Sequence, residues 1–122
     1  MKDLKFFKIS FITAIFFCII SMSVYSYDFD INLLTRESLI ASFTEALANP
    51  DNTRLAYDAF QALSIAVSSE LFLGNTAIAI ITIMNTNNIE LQTAMMSIVA
   101  ILQAMPLYEY NITKLRAYGY AG

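Results

Sequence analysis

The chain has 122 residues, with seven Lys and Arg against ten Asp and Glu, and this small number of bases excludes nucleic-acid binding, which needs clustered cations to replace phosphate counterions. It has no histidine and one cysteine, Cys18, so the usual transition-metal ligands and the usual general base and thiol nucleophile are missing as well. Hydrophobic residues make up 57 % of the sequence, a surplus that a small domain has limited interior to hide.

Residues 1–26 read as a cleavable signal peptide. Lys2, Lys5 and Lys8 precede an apolar run over Ile9–Met22, and Val24-Tyr25-Ser26 places a small aliphatic residue at −3 and a small one at −1. The alternative is an inner-membrane anchor over residues 9–27, since those 19 residues carry no charge and a span takes roughly 20. Its basic flank would stay cytoplasmic. A lipoprotein is disfavoured, because Cys18 follows bulky Phe17. Cleavage after Ser26 leaves 96 residues without cysteine, with nine acids against four bases and a net charge of −5. One disulfide-free domain of this size points to a bacterial periplasmic or secreted protein. The sequon Asn111-Ile112-Thr113 would matter only in a eukaryotic secretory pathway.

Asp28, Asp30 and Asn32 alternate like the start of a calcium loop, but Leu33 and Leu39 stand where Gly and a bidentate Glu are needed. The stretch reads instead as an acidic lead-in to a helix. That first helix is expected from Leu33 or Thr35 to Ala48, capped by Asn32 or Thr35, with Leu39, Ile40, Phe43, Ala46 and Leu47 on its buried face. Asn49 is expected to cap the second helix, with Pro50 and Asp51 in its first turn. Its apolar stripe is Ala56, Phe60, Leu63, Val67 and Leu71, and Gly74 is the natural stop.

Asn75 then introduces Thr76–Met84, which is rich in β-branched residues and suits either a short helix or a buried strand. A helix is favoured because no second strand is available to pair with it. Uncovered, AIAIITIM would be an aggregation hazard. Asn85–Asn88 makes a turn, and Asn87 with Glu90 has capping-box spacing. The fourth helix carries Leu91, Met95, Ile98, Leu102 and Met105, widened by Met96, Val99 and Ile101, and Pro106 ends it. Such a helix is usually central in a bundle or an interface. In the tail a short helix from Asn111 to about Tyr118 would bury Ile112 and Leu115, leaving Lys114 and Arg116 to meet acidic surface. The expected architecture is all-α: a small bundle of four helices plus a short C-terminal helix, packed around the apolar hairpin Thr76–Met105. Its two apolar segments, nine and seventeen residues long, fall short of comfortable membrane spans.

The composition also bears on chemistry. The carboxylates are scattered on wet helix faces, Lys114 is the only lysine after residue 26, and the glycines there are Gly74, Gly119 and Gly122. No catalytic constellation, phosphate loop, cofactor site or metal site follows. Met84, Met95, Met96 and Met105 read as core filler rather than soft-metal ligands. The leading functional expectation is a non-enzymatic protein-binding module: an inhibitor or immunity-type protein, an adaptor, or a subunit of an envelope complex. Its partner would be a protein of the cell envelope or outside the cell, self-association remaining open. Tyr108, Tyr110, Tyr118 and Tyr120 are the candidate contacts, tyrosine being common at interface cores, although they would equally serve to cover one end of the bundle. The alternative is a helical carrier of a fatty acid or lipid, lined by Phe60, Met95 and Met96. A third class is a membrane-active peptide or toxin.

Overall fold

In the computed structural model, residues 30–121 are described. The expected leader over 1–26, the alternative anchor over 9–27 and Asp28 lie outside them. The chain forms five α-helices: α1 (Arg36–Ala48), α2 (Thr53–Ser68), α3 (Gly74–Asn85), α4 (Leu91–Ala104) and α5 (Ile112–Ala117), with 3-10 turns at Ile31–Leu34 and Leu107–Glu109. They pack as a small all-α bundle in which α1 lies against both α2 and α4, and α3 lies against α4.

The α1–α2 half is built from local signals. Asp30 Oδ1 accepts the Asn32 amide at 3.0 Å and caps the first 3-10 turn, so this acid serves a helical turn. Thr35 Oγ1 accepts the Ser38 amide at 3.1 Å and caps α1. Leu39, Phe43 and Ala46 are buried, flanked by half-buried Ile40 and Leu47. The expected role of Asn49 is corrected. It closes α1, its Nδ2 donating to the Glu45 carbonyl at 2.9 Å, while Asn52 caps α2 by accepting the Arg54 amide at 3.2 Å. Pro50 and Asp51 therefore lie in the connection. Two asparagines flank Pro50 within two residues on either side, and the one bonded to the last carbonyls of α1 is unavailable to α2.

Helix α2 ends at Ser68, six residues before Gly74. The Leu71 amide returns to Ala66 O at 3.1 Å and the Glu70 amide to Val67 O at 3.0 Å, with Glu70 left-handed at φ 60°. That is a Schellman termination with glutamate in the place glycine normally takes. Gly74, also left-handed at φ 58°, instead opens α3.

Residues 76–84 are helical, which settles the choice between helix and strand. Thr82 and Thr86 donate their hydroxyls to the carbonyls four residues back, at 2.7 and 2.6 Å. One isolated antiparallel bridge, Phe72 with Tyr110, is the β-pairing among the described residues. Helix α4 buries Ala94, Met95, Ile98 and Leu102. Glu90 occupies its N-cap position without a side-chain capping bond. The Asn87–Glu90 capping box is not formed, because α4 starts at Leu91 and puts the cap three residues beyond Asn87. At the other end of α4, Arg36 Nε and Nη2 donate to the carbonyls of Leu102 and Gln103 at 2.8 and 2.9 Å, satisfying groups that a helix terminus leaves open.

The most buried single helix lies outside the apolar hairpin. Helix α2 buries eight residues, against three on α3 and four on α4. Its alanines at 56, 59, 62 and 66 allow close approach, and the Phe60 ring meets Phe43 edge-to-face at 5.0 Å and 84°. Among the described residues no helix is long and apolar enough to cross a membrane.

Candidate functional site

Helix α3 has no local N-cap. Leu73 holds that position and offers no side-chain acceptor, and Asn75 does not supply one either. The acceptor comes from the tail. Pro106 terminates α4, the 3-10 turn Leu107–Glu109 reverses the chain, and the Glu109 carboxylate is brought to the first turn of α3. Oε2 accepts the Asn75 amide at 3.0 Å, and Oε1 accepts the Thr76 amide at 3.1 Å and the Thr76 hydroxyl at 2.6 Å. A carboxylate is favoured here because the open amides and the helix dipole both present positive charge. The Thr76 hydroxyl bond, helped by the two amides, holds the Glu109 carboxyl below its ordinary value against the opposing effect of burial.

Glu109 is 8 % exposed, and Gly74 makes the room for it. A Cβ at residue 74 would lie 2.5 Å from Glu109 Oε2. Around this anchor the backbones pair: the Leu73 amide donates to Glu109 O at 2.8 Å, and the Asn111 amide to Leu71 O at 2.9 Å. The Phe72 and Tyr110 rings stack 6.2 Å apart at 30°. Asn111 Oδ1 accepts the Lys114 amide at 3.1 Å and caps α5, while its Nδ2 donates to Glu70 O at 3.3 Å. Lys114 Nζ lies 3.5 Å from Glu70 Oε1, which is where one of the two tail bases meets acidic surface.

The four candidate tyrosines divide into two pairs. Tyr108 is 79 % exposed and Tyr118 51 %, while Tyr110 and Tyr120 are half-buried against the core. The Tyr110 hydroxyl is buried near the Arg36 backbone amide but makes no hydrogen bond among the described residues, and burial pushes its pKa up. Beside Tyr108 lie exposed Leu107 and, joined through the backbone bond to Glu109, exposed Leu73. Helix α3 adds Ile78, 64 % exposed, and Ile81 one turn further on. No charged side chain occurs from Leu71 to Ile89.

Among the described residues, Phe60, Met95 and Met96 do not together line either of two surface clefts. Phe60 is packed against Phe43, Met95 is buried, and Met96 is 60 % exposed on the neighbouring face of the same helix. A cleft of about 420 Å³ between the α1–α2 turn and the start of α4 has Ala46, Ala56, Leu91 and Met95 among its lining, with Asp51 and Glu90. A second, of about 380 Å³, lies between α1 and α2 beside Leu33, Ser42, Glu45 and Leu55. Phe60 and Met96 line neither. Among the described residues no group of His, Cys, Asp and Glu is placed to hold a metal ion.

The sequence reading missed Glu109, Thr76 and Gly74 as one unit. Its available signal was a helix beginning Gly-Asn-Thr after a leucine, with no side-chain acceptor at the position before it. Compared with known protein families, with curated proteins and with solved structures, the chain shows no match.

Proposed function

We propose that the chain is a small exported, non-enzymatic protein-binding module, acting in the periplasm or outside the cell as an inhibitor, adaptor or complex subunit. The observation that carries this reading is the uncharged surface of α3 and the adjoining turn, where Leu73, Ile78, Ile81, Leu107 and Tyr108 are all exposed. Large exposed apolar side chains grouped without charges are characteristic of association surfaces, and charge depletion with aromatic enrichment marks interface cores. Tyr108 and Tyr118 are the tyrosines available to a partner; Tyr110 and Tyr120 serve the domain's own packing.

The test is in-cell cross-linking from position 78, compared with an Ile78→Ser/Tyr108→Ala double variant in capture of the cross-linked protein. Loss of capture at unchanged thermal stability supports the proposal. Unchanged capture overturns it. A second reading, carriage of a small apolar ligand, draws on the 420 Å³ cleft bordered by Met95, whose volume falls in the range of small-molecule sites. Native mass spectrometry without detergent separates the two: an added mass of a few hundred daltons favours the carrier.

A further inference from the structure

We propose that the exposed face of α3 is the interface of a two-fold symmetric dimer, on which a second copy of this chain lays its own α3 antiparallel. The inference deepens the protein-binding reading, on which it rests, by naming the partner. Two-fold contact requires that where residue i meets j, j also meets i, and the exposed stripe of α3 has that symmetry. It runs Asn75, Ile78, Thr82, Asn85, so an antiparallel copy centred on Ile80 sets Ile78 against Thr82 and Asn75 against Asn85, each pair made twice. The carboxamides at both ends then donate to and accept from one another, around an apolar middle that Ile81 widens. The threonines do not oppose burial. Thr82 and Thr86 give their hydroxyl protons to the carbonyls of Ile78 and Thr82, so drying the face strands neither donor.

Charge and area both favour a second copy. Residues 27–122 hold nine acids and four bases, so two copies repel each other except where charges are missing, and no charged side chain occurs from Leu71 to Ile89. A partner of opposite charge would be drawn instead to α1 and the turn after it, where Glu37, Glu45 and Asp51 are exposed. At roughly 200 Å² for a large side chain, the exposed fractions of Leu73, Ile78, Ile81, Leu107 and Tyr108 offer about 600 Å². The exposed Asn75, Thr82, Asn85 and Thr86 bring this near the roughly 800 Å² that one partner contributes to a standard interface. Leu107 and Tyr108 extend the N-terminal end of the face, because their turn packs on α3. In the antiparallel pair they reach the turn Asn85–Asn88 of the second copy, whose uncharged amides suit the Tyr108 phenol.

The experiment measures the mass of the exported protein, recovered without detergent, by sedimentation velocity. It should show a dimer with a Kd no weaker than about 10 μM, the weak end for an interface of this size. Ile78→Asp should raise that Kd about a hundredfold, because each dimer loses two buried isoleucines at about tenfold apiece, with helical circular dichroism unchanged. A photo-cross-linker at position 85, in cells carrying two differently tagged copies, should join one tag to the other and land on residues 73–78 of the second copy. A wild type that stays monomeric at about 100 μM, well above that limit, overturns the proposal. So does a dimer unmoved by Ile78→Asp, or one cross-linked outside α3. The wild-type mass and the cross-link map decide by themselves where the variant does not fold. Two further results overturn it by naming another occupant: a monomer that floats with zwitterionic lipid vesicles, and a monomer cross-linked through α3 to a different protein. The last leaves the protein-binding reading standing, so the two readings fall separately.

Discussion

The α1–α2 half and the α3–tail half are secured in opposite ways. Thr35 and Asn52 cap α1 and α2 from the adjacent residue, and the interior between them is closed by Phe43, Phe60 and a row of alanines. Helix α3 begins with glycine, has no cap of its own, exposes two isoleucines, and takes its N-terminal acceptor from Glu109, 33 residues further along the chain. A locally capped helix is stable wherever its apolar face is buried. A helix capped from a distance is as stable as the segment that brings the cap.

The largest test of this contrast acts on the local half. Phe60→Ala removes a fully buried ring from the Phe43 contact and should cost about 3–5 kcal/mol, a large fraction of the stability of a small domain. Urea denaturation should show the loss in one transition for every helix. If α3 and the tail unfolded separately from α1 and α2, the bundle would be less cooperative than its shared core indicates.

Glu109→Ala acts on the other half and should have a smaller, localised effect. Amide protection over residues 73–77 and 109–118 should fall together while α1 and α2 keep theirs, and the melting temperature should drop by several degrees. The pH dependence has a definite sign. The folded carboxyl lies below its ordinary value of 4.5, so its contribution is complete above that value and is lost as pH falls through the lowered one. Protection factors at Asn75 and Thr76, taken relative to the intrinsic exchange rate at each pH, should therefore fall in acid in the wild type, with this acid-dependent component absent from Glu109→Ala. An equal fall in protection in both would remove Glu109 from the account.

The same contrast explains what was legible in the sequence. Periodicity located the stripes of α1 and α2, and Pro106 marked the end of α4, because each is set by near neighbours. The acceptor for α3 was illegible: Glu109 reads as one acid among several until the fold brings it to Thr76. Hydropathy drew attention to the Thr76–Met105 hairpin, whereas the most buried single helix is α2. Apolar content measures what a helix could bury and not how much its neighbours cover, and Ile78 and Met96 remain exposed. The candidate tyrosines and the Phe60–Met95–Met96 group differ in exposure residue by residue for a related reason. A position beside another in sequence, as Met96 is beside Met95, faces elsewhere on a helix.

A smaller effect, stabilising this time, belongs to the core of α2. Ser64 is fully buried and its hydroxyl has no hydrogen-bond partner among the described residues. Ser64→Ala removes the orphan and should raise stability by about 1 kcal/mol, read as a higher urea midpoint at unchanged slope. A lower midpoint would mean that the hydroxyl is satisfied after all, by a buried water.

The smallest effect is expected at the joint between the two halves. Glu70 holds the left-handed position that ends α2, where a side chain costs about 1 kcal/mol relative to glycine. Its carboxylate, 73 % exposed, meets Lys114 of the tail at 3.5 Å, and exposed pairs of this kind are worth little. Relief of the backbone should outweigh the lost pair, so Glu70→Gly should raise the urea midpoint slightly and leave exchange over residues 109–118 unchanged. A lowered midpoint with faster tail exchange would reverse that ranking. The tail would then be held by Lys114 as well as by Glu109, and the boundary between the locally built half and the half that takes its cap from a distance would have to move to include residue 70.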